Sequence, residues 1–410
     1  MTAPNRVTIR DVAKRAGVSV ATVSRVLGGE YPVLAATRNK VVRAVRELDY
    51  VPNAHARALS AARPGAIAIV VNSVAVPYYA LIAQGVEEQA AQEGRLSLIC
   101  TTGGDTGREL SIVQLLREQR AEAVILVGSV IVDEEYRKRM TEYAHALAAA
   151  GSRLVLCGRP PLGEGVPALV VGFDNTGGAH AVTAHLLSAG HRRILYLGLR
   201  PGHTTSDSRV AGYRSALAEH GVAADPGLEV EAEFNREAGY TAMRRRLAAG
   251  PPDFTAVFAG NDLVAAGAIQ ALREHGLRVP DDISIVGYDD VPPAQDLGLT
   301  TVHLPHGELG RTAVRLALGR LPHSHPTPAT RAPATRAPSA RAASTPTPSA
   351  PTPSALTPSA PAASTPPPSA PASSGTASFG TASSMPDAAR VLTLGTHIVV
   401  RDSVRRLGPR

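Results

Sequence analysis

The stretch "VTIRDVAKRAGVSVATVSRVLGG", Val7–Gly29, decides how the chain is read. Two short apolar-periodic segments flank Ala16-Gly17-Val18, and each opens on a hydroxyl residue, Thr8 or Ser19. Thr8 with Asp11 three residues on is a capping-box pattern. Ser19 is a cap for the second segment, and Gly17 supplies the turn that lets one helix cross the other. Ile9, Val12 and Ala13 then share one side of the first helix, and Val23 and Val26 point inward from the second. Val20, Ala21, Thr22, Ser24 and Arg25 are left on the outward face or its edges. A third amphipathic segment, "TRNKVVRAVRELDYVPN", turns Val41, Val42, Val45 and Leu48 inward. Three short helices with a tight glycine turn between the first two describe a helix-turn-helix domain.

Helical spacing alone fits any small bundle, so charge carries the next step. Residues 1–63 hold eleven basic and four acidic side chains, a net of +7. Residues 64–320 hold 23 basic and 29 acidic, a net of −6, and the remainder is +6. A basic head on an acidic body implies a polyanionic partner for the head. The two cysteines, Cys100 and Cys157, end apolar runs, which suits small core hydrophobes in a reducing compartment and not a disulfide framework. The N-terminus is polar where a secretory signal needs its apolar stretch, and no window approaches a membrane span. A soluble, cytoplasmic protein without membrane partners is the expectation.

From Ala66 to about Leu318 the chain alternates apolar runs with helical patterns. The runs are "AIAIVV", "RLSLIC", "AVILVG", "RLVLCG", "ALVVG", "RILYLG", "TAVFAG" and "ISIVGYD". They are short and nearly continuous, as strands buried on both faces are. The alternation predicts parallel α/β sheets with right-handed crossovers, and about 250 residues of it fit two lobes better than one sheet. Residues 321–388 are rich in Pro, Ala, Ser and Thr and lack the apolar content to offset ordering, so they read as a disordered spacer. "ARVLTLGTHIVVRDSV" then reads as strand again, which makes the spacer an insertion within a fold. The expected units are a DNA-binding head (1–52), a hinge helix (53–64), a two-lobed core (65–320), the low-complexity insertion (321–388), and a terminal strand of the core with its tail (389–410).

At this point the residues carry a resemblance. "VTIRDVAKRAGVSVATVSRVL" with "TRNKVVRAVRELDYVPNAHARAL" resembles the head of the lactose/galactose repressor (LacI-GalR) family. "VPYYALIAQGVEE", "VVGFDNTGGAHAVTAHLLSAGHRRILYLG", "RVAGYRSALAEHG", "TAVFAGNDLVAAGAIQALREHGLRVPDDISIVGYDD" and "LTTVHLPHGELGRTAVRLAL" resemble its effector-binding core. The likeness covers everything except residues 321–388. It implies an all-α helix-turn-helix head followed by a periplasmic-binding-protein-like core of two parallel-sheet lobes. It also implies a transcription regulator, most simply a repressor. Such a protein acts as a homodimer on palindromic double-stranded operator DNA and is controlled by a small effector such as a sugar or nucleoside.

The resemblance assigns roles residue by residue. The second helix, Val20 to Leu27, enters the major groove, with Val20, Ala21 and Arg25 at base-reading positions. Arg25 offers a bidentate fork to guanine, and the two apolar residues offer methyl contacts. Thr8, Ser19, Thr22, Ser24 and Asn53 are candidates for phosphate or sugar contact, with capping as the alternative for Thr8 and Ser19. Asn53–Arg63 matches the hinge helix, in which Leu59 is the wedge that kinks the duplex and Ala56 a second minor-groove position. In the cleft between the lobes, Tyr78 and Tyr79 match an aromatic pair. Arg209 matches an effector-binding arginine, and Phe234, Asn261 and Asp289 match further wall positions. Arg159, after a strand end, is a weaker candidate. Each polar member has a structural alternative, a helix cap or an ion pair between lobes.

Some departures stand out. Leu34 takes the capping serine's place before the third helix, which leaves that start uncapped. Gly28-Gly29 follows the recognition helix where an Asn is usual. No leucine heptad follows "RDSVRRLGPR". Rival readings are weaker. A solute-binding protein of the same fold needs a signal peptide and no DNA-binding head. An enzyme needs a nucleotide or nucleophile motif, and neither G-x-G-x-x-G, a Walker loop nor G-x-S-x-G occurs. "TTGGDTGRE" reads as a strand–helix loop. His303 and His306 have H-x-x-H spacing without further ligands, so neither metal nor cofactor is called for.

Overall fold

In the computed structural model, which describes residues 7–28, 33–50, 65–320 and 391–408, the head is three helices. These are α1 (Ile9–Ala16), α2 (Val20–Gly28) and α3 (Ala35–Glu47). The Asp11 carboxylate accepts from the Thr8 amide at 2.8 Å and from its hydroxyl at 2.7 Å. These two bonds also hold Asp11 below the usual carboxylate range. Gly17 ends α1 at φ +66°, the left-handed conformation that glycine adopts without penalty. The Ser19 hydroxyl accepts from the Thr22 amide at 3.1 Å and so caps α2. Val12, Ala13, Ala16, Val23, Val41 and Ala44 form the core of the head. One expectation shifts: Ala44, not Val42, takes the inward place in α3, because positions 41, 44, 45 and 48 fall on one helical stripe. Arg15 of α1 pairs with Glu47 of α3 at 2.6 Å.

The first lobe is a parallel sheet in the order β11-β5-β4-β3-β1-β2. Its strands are β1 (Ile67–Val71), β2 (Ser97–Thr101), β3 (Ala123–Val127), β4 (Arg153–Cys157), β5 (Ala168–Phe173) and β11 (Val391–Leu394). It carries α4 (Pro77–Gln92), α5 (Thr106–Glu118), α6 (Glu134–Ala149) and α12 (His306–Ala317). The second lobe is a parallel sheet in the order β7-β6-β8-β9, built from β6 (Ile194–Leu199), β7 (Glu229–Glu231), β8 (Ala256–Ala259) and β9 (Ser284–Val286). It carries α7 (Asn175–Ser188), α8 (Thr204–Glu219), α9 (Arg236–Ala248), α10 (Asp262–Glu274) and the short α11 (Pro292–Asp296). All eight apolar runs form strands. β1, β3 and β8 are buried throughout, as parallel strands covered on both faces are. β2 is an edge strand and remains half-exposed.

Three segments cross between the lobes: β5 into α7, β9 through β10 (Thr301–His303) into α12, and β11 into β12 (His397–Val399). β10 and β12 pair antiparallel as a separate ribbon. The single terminal strand expected after the insertion is therefore two. Gly395-Thr396 breaks the run, so β11 joins the first-lobe sheet beside β5 while β12 joins the ribbon. The tail continues onto the second lobe, where Ser403 Oγ donates to the Ile285 carbonyl at 2.6 Å and the Leu407 amide to the Ala189 carbonyl at 2.7 Å. α12 and β11 belong to one lobe and bracket the residues between them. The hinge call (53–64, with Asn53, Ala56 and Leu59) and the insertion call (321–388) lie outside the described residues. Among the described residues no helix is long and apolar enough to cross a membrane.

Candidate functional site

Two surfaces carry the candidate residues. On the head, Val23 is fully buried and fixes the rotation of α2. Val20, Ala21, Ser24 and Arg25 are thereby turned to solvent, with Thr22 half-buried at the edge. Arg25 is exposed and makes no hydrogen bond or ion pair among the described residues. Thr8 and Ser19 both act in capping, as their alternative reading had it. Both stay exposed at the N-termini of their helices. Leu34 is 82% exposed and gives α3 no side-chain cap.

The second surface is a cavity of about 410 Å³ between the lobes, over the carboxyl ends of the strands. Parallel α/β sheets place ligands at this end. Tyr78, Tyr79, Arg209, Phe234, Asn261 and Asp289 all line it. Pro77 at the first position of α4 starts that helix directly after β1 and its loop, which brings both tyrosines to the mouth. Their rings meet edge to face with centroids 5.1 Å apart. Gly158 and Gly128, both at positive φ, lie beneath them. A Cβ on Gly128 would come within 3.0 Å of the Tyr79 hydroxyl, and one on Gly158 within 3.4 Å of the Tyr78 hydroxyl. Burial raises both phenols, so they remain neutral donors.

Opposite stands Arg209, each of whose three nitrogens has a partner. Nε donates to Asn175 Oδ1 at 3.1 Å, Nη1 to the Gly260 carbonyl at 2.6 Å, and Nη2 to Asp289 Oδ1 at 2.8 Å. Its guanidinium carbon lies 3.7 Å from the Tyr288 ring centroid and 5.6 Å from that of Phe234. Asp289 sits at φ +105°, a backbone conformation that a non-glycine residue holds only when its surroundings impose it. Burial pushes the Asp289 carboxyl up, and Arg209 opposes that rise. Asn261 is the N-cap of α10, accepting from the Val264 amide at 2.9 Å, so its structural alternative also holds. Its amide nitrogen keeps only a 3.4 Å contact with the Phe234 carbonyl.

Arg159 is not in this cavity. It is buried in the first lobe, paired with Glu109 at 2.8 Å, and lines an adjoining chamber. Sequence reasoning missed Asn72, Ser129, Arg200, His203 and Glu233, which also line the cleft. Asn72, Ser129 and Arg200 follow within two residues of the ends of β1, β3 and β6, so the strand-end rule was the available signal. The two histidines of the H-x-x-H pair have separate surroundings. His303 bonds Asp290 at 2.9 Å, and His306 is buried edge-on to Tyr78 and Phe173. Among the described residues no group of three or more candidate metal ligands occurs.

Comparisons with known proteins agree with this architecture. Residues 8–53 match the model of bacterial regulatory proteins of the lacI family, and residues 183–342 match a periplasmic binding protein-like domain. The HTH-type transcriptional regulator DegA of Bacillus subtilis (strain 168) is 35% identical over 322 residues, covering 77% of this chain and 93% of DegA. The crystal structure of the lac repressor dimer bound to operator and the anti-inducer ONPF superposes with a TM-score of 0.66 at 28% identity, covering 77% of this chain and 94% of that one. The transcriptional regulator CelR–cellobiose complex gives a TM-score of 0.59 at 29% identity, covering 97% and 100%. The chain belongs to the LacI family. It is a DNA-binding transcriptional regulator with an effector-binding core, and the matched head sets it apart from a solute-binding protein of the same fold.

Proposed function

We propose that this regulator is a cytoplasmic homodimeric repressor that reads a two-fold symmetric operator through α2 and the 53–64 segment. A neutral polyhydroxyl effector, a sugar or nucleoside, bound in the interlobe cleft controls it. The observation that carries the reading is the exposed face of α2, where Arg25 stands in solvent on a helix whose rotation buried Val23 fixes. Arg25 reads guanine, Val20 and Ala21 contact methyl groups, and Thr8, Ser19, Thr22, Ser24 and Asn53 position the backbone. Leu59 wedges a central base step, with Ala56 beside it in the minor groove. Dimerisation is supported by the apolar surface along edge strand β2 and α5, where Leu96, Ile99 and Leu115 are exposed. The solved lac repressor is a dimer on its operator.

In the cleft, Tyr78, Tyr79 and Phe234 offer ring faces to the apolar side of a sugar, while Asp289, Arg209 and Asn261 orient its hydroxyls. The cleft binds and does not turn over its ligand. Lobe closure on the effector alters how the hinge segments are presented, and the coupling is reciprocal. The test is selection of bound duplexes from a random pool, with native protein and Leu59→Ala side by side. Enrichment of a palindrome, weakened by Leu59→Ala, is expected. Equal enrichment by both proteins removes the hinge role, and no enrichment with or without sugars and nucleosides removes the operator reading.

A further inference from the structure

The H-x-x-H spacing couples His303 with His306, but the fold couples it with His397, from the far side of residues 321–388. In the antiparallel ribbon the register sets Thr301 opposite Val399, Val302 opposite Ile398 and His303 opposite His397. Val302 and Ile398 pack into the apolar core. Side chains alternate across a strand, so the two histidines share the other face. Their ring centroids are 4.8 Å apart and their planes are tilted by 39°.

Two further features suit this pair to chelation. His303 Nδ1 is bonded to Asp290 Oδ2 at 2.9 Å, and the other oxygen of Asp290 accepts from Arg401 at 2.7 Å. A carboxylate on one ring nitrogen fixes the tautomer and leaves Nε2 with its lone pair, the arrangement that orients histidine ligands in metal sites. His397 is exposed and makes no hydrogen bond among the described residues. The spacing agrees as well. Two imidazole nitrogens about 2.0–2.1 Å from one ion, at an angle between square-planar and tetrahedral, hold their ring centroids roughly 4.5–5 Å apart.

The surroundings decide what else can bind the ion. Glu88 and Glu308 border the groove beside His303. Glu88 is held by Arg311, and Glu308 by Arg311, Thr312 and Arg315. The protein therefore offers two nitrogen ligands and leaves the remaining positions to water. Nitrogen donors select zinc, nickel and copper, whereas magnesium and calcium need oxygen.

We propose that His303 and His397 form a two-histidine chelate for a divalent transition ion of the zinc, nickel or copper class. β10 and β12 belong to two of the three segments that cross between the lobes. One ion on both histidines ties those two segments together, and the site stands whatever ligand the cleft takes.

The test is calorimetric titration of the full chain with zinc and with nickel chloride, and with magnesium chloride as the control. His397→Gln is the variant, because His397 is exposed and its loss breaks no internal bond. Expected are about micromolar affinity for zinc or nickel, no magnesium binding, and at least about tenfold weaker binding by His397→Gln. Copper(II) bound to the native chain should show the electron-spin coupling of two imidazole nitrogens, and His397→Gln should lose one of them. A native chain that binds neither zinc nor nickel in the micromolar range overturns the proposal. So does a His397→Gln variant that binds as tightly as the native chain, which places the ion on other groups.

Discussion

The DNA-reading face and the interlobe cleft solve opposite problems. On α2 the candidate side chains hang in water, held in place by the apolar residues behind them, and Arg25 has no partner among the described residues. In the cleft the polar groups facing the tyrosines are already bonded: Arg209 to three acceptors, Asn261 to its helix, Asp289 to Arg209. The head meets a highly charged, hydrated polymer and needs exposed donors. The cleft, on the proposed reading, meets a small neutral ligand and needs groups whose orientation is fixed beforehand. Single substitutions should therefore act mainly on function in the head, and on stability together with function in the cleft.

The sharpest way to break this contrast is Asp289→Asn. Asn tolerates the positive φ at this position, so the backbone is kept while the charge is lost. Arg209, 2% exposed, is then a buried cation without its counter-ion. Removing one partner of such a pair destabilises by about 3–5 kcal/mol. Urea unfolding of the core should show that loss, with effector binding weakened as well. An unchanged midpoint would mean that the pair is held for the ligand alone.

The next effect is a pH dependence confined to the core. Burial, with His303 and Arg209 nearby, pushes His306 down from 6.5 to about 4. Between these values the unfolded chain binds the proton and the folded one does not. The contribution is therefore whole above pH 6.5 and is lost as pH falls toward 4, by about 3 kcal/mol. Asp262, raised to about 8 by burial and by Asp289, has the opposite sign and favours the folded core as pH falls. The His306 share is thus read as a difference: His306→Gln should lose less stability than the native chain between pH 7.5 and 4.5. Equal losses would place the acid sensitivity elsewhere.

The same contrast explains what was legible in the sequence. The head is local: its helices, caps, turn and outward face follow from spacing within about 40 residues, and Val42 for Ala44 is the one misplacement. In the core the eight strands were readable as apolar runs. β7 and β10 were not, because Glu229–Glu231 and Thr301–His303 are short and not continuously apolar, and β12 was read as one strand with β11. The cleft residues come from strand ends spread over more than 200 positions. Tyr78, Arg209, Phe234 and Asp289 were found through the family likeness; their hydrogen-bond partners were not, because pairing is a tertiary fact. Arg159 was singled out for the right kind of position, but its chamber depends on how α5 and α6 are set over the sheet.

A more moderate effect tests the head's exposed side of the comparison. Arg25→Ala should cost about 1–3 kcal/mol of specific affinity, roughly ten- to a hundredfold, and relax discrimination at one base pair per half-site. Effector affinity of the free protein should stay unchanged. Competition between the selected operator and random duplex measures this. A uniform loss on both would make Arg25 a phosphate contact.

The smallest effect is the most local. α3 begins after Leu34, whose backbone is extended and whose side chain is in solvent and cannot accept a hydrogen bond from the first turn. The Thr37 and Arg38 amides reach only the Leu34 carbonyl, at 2.9 and 3.0 Å. Leu34→Ser removes no packing and adds an acceptor at the N-cap, worth about 1 kcal/mol. Hydrogen exchange in the first turn of α3 should slow about fivefold, while exchange in the core and effector affinity stay as they were. The comparison predicts that separation, because the head is held by short-range terms that a single cap can shift. Slowed exchange spreading into the core would show that the two regions unfold as one unit. No slowing at all would mean that the start of α3 is limited by the helix packing against Val12 and Val41 and not by its open end.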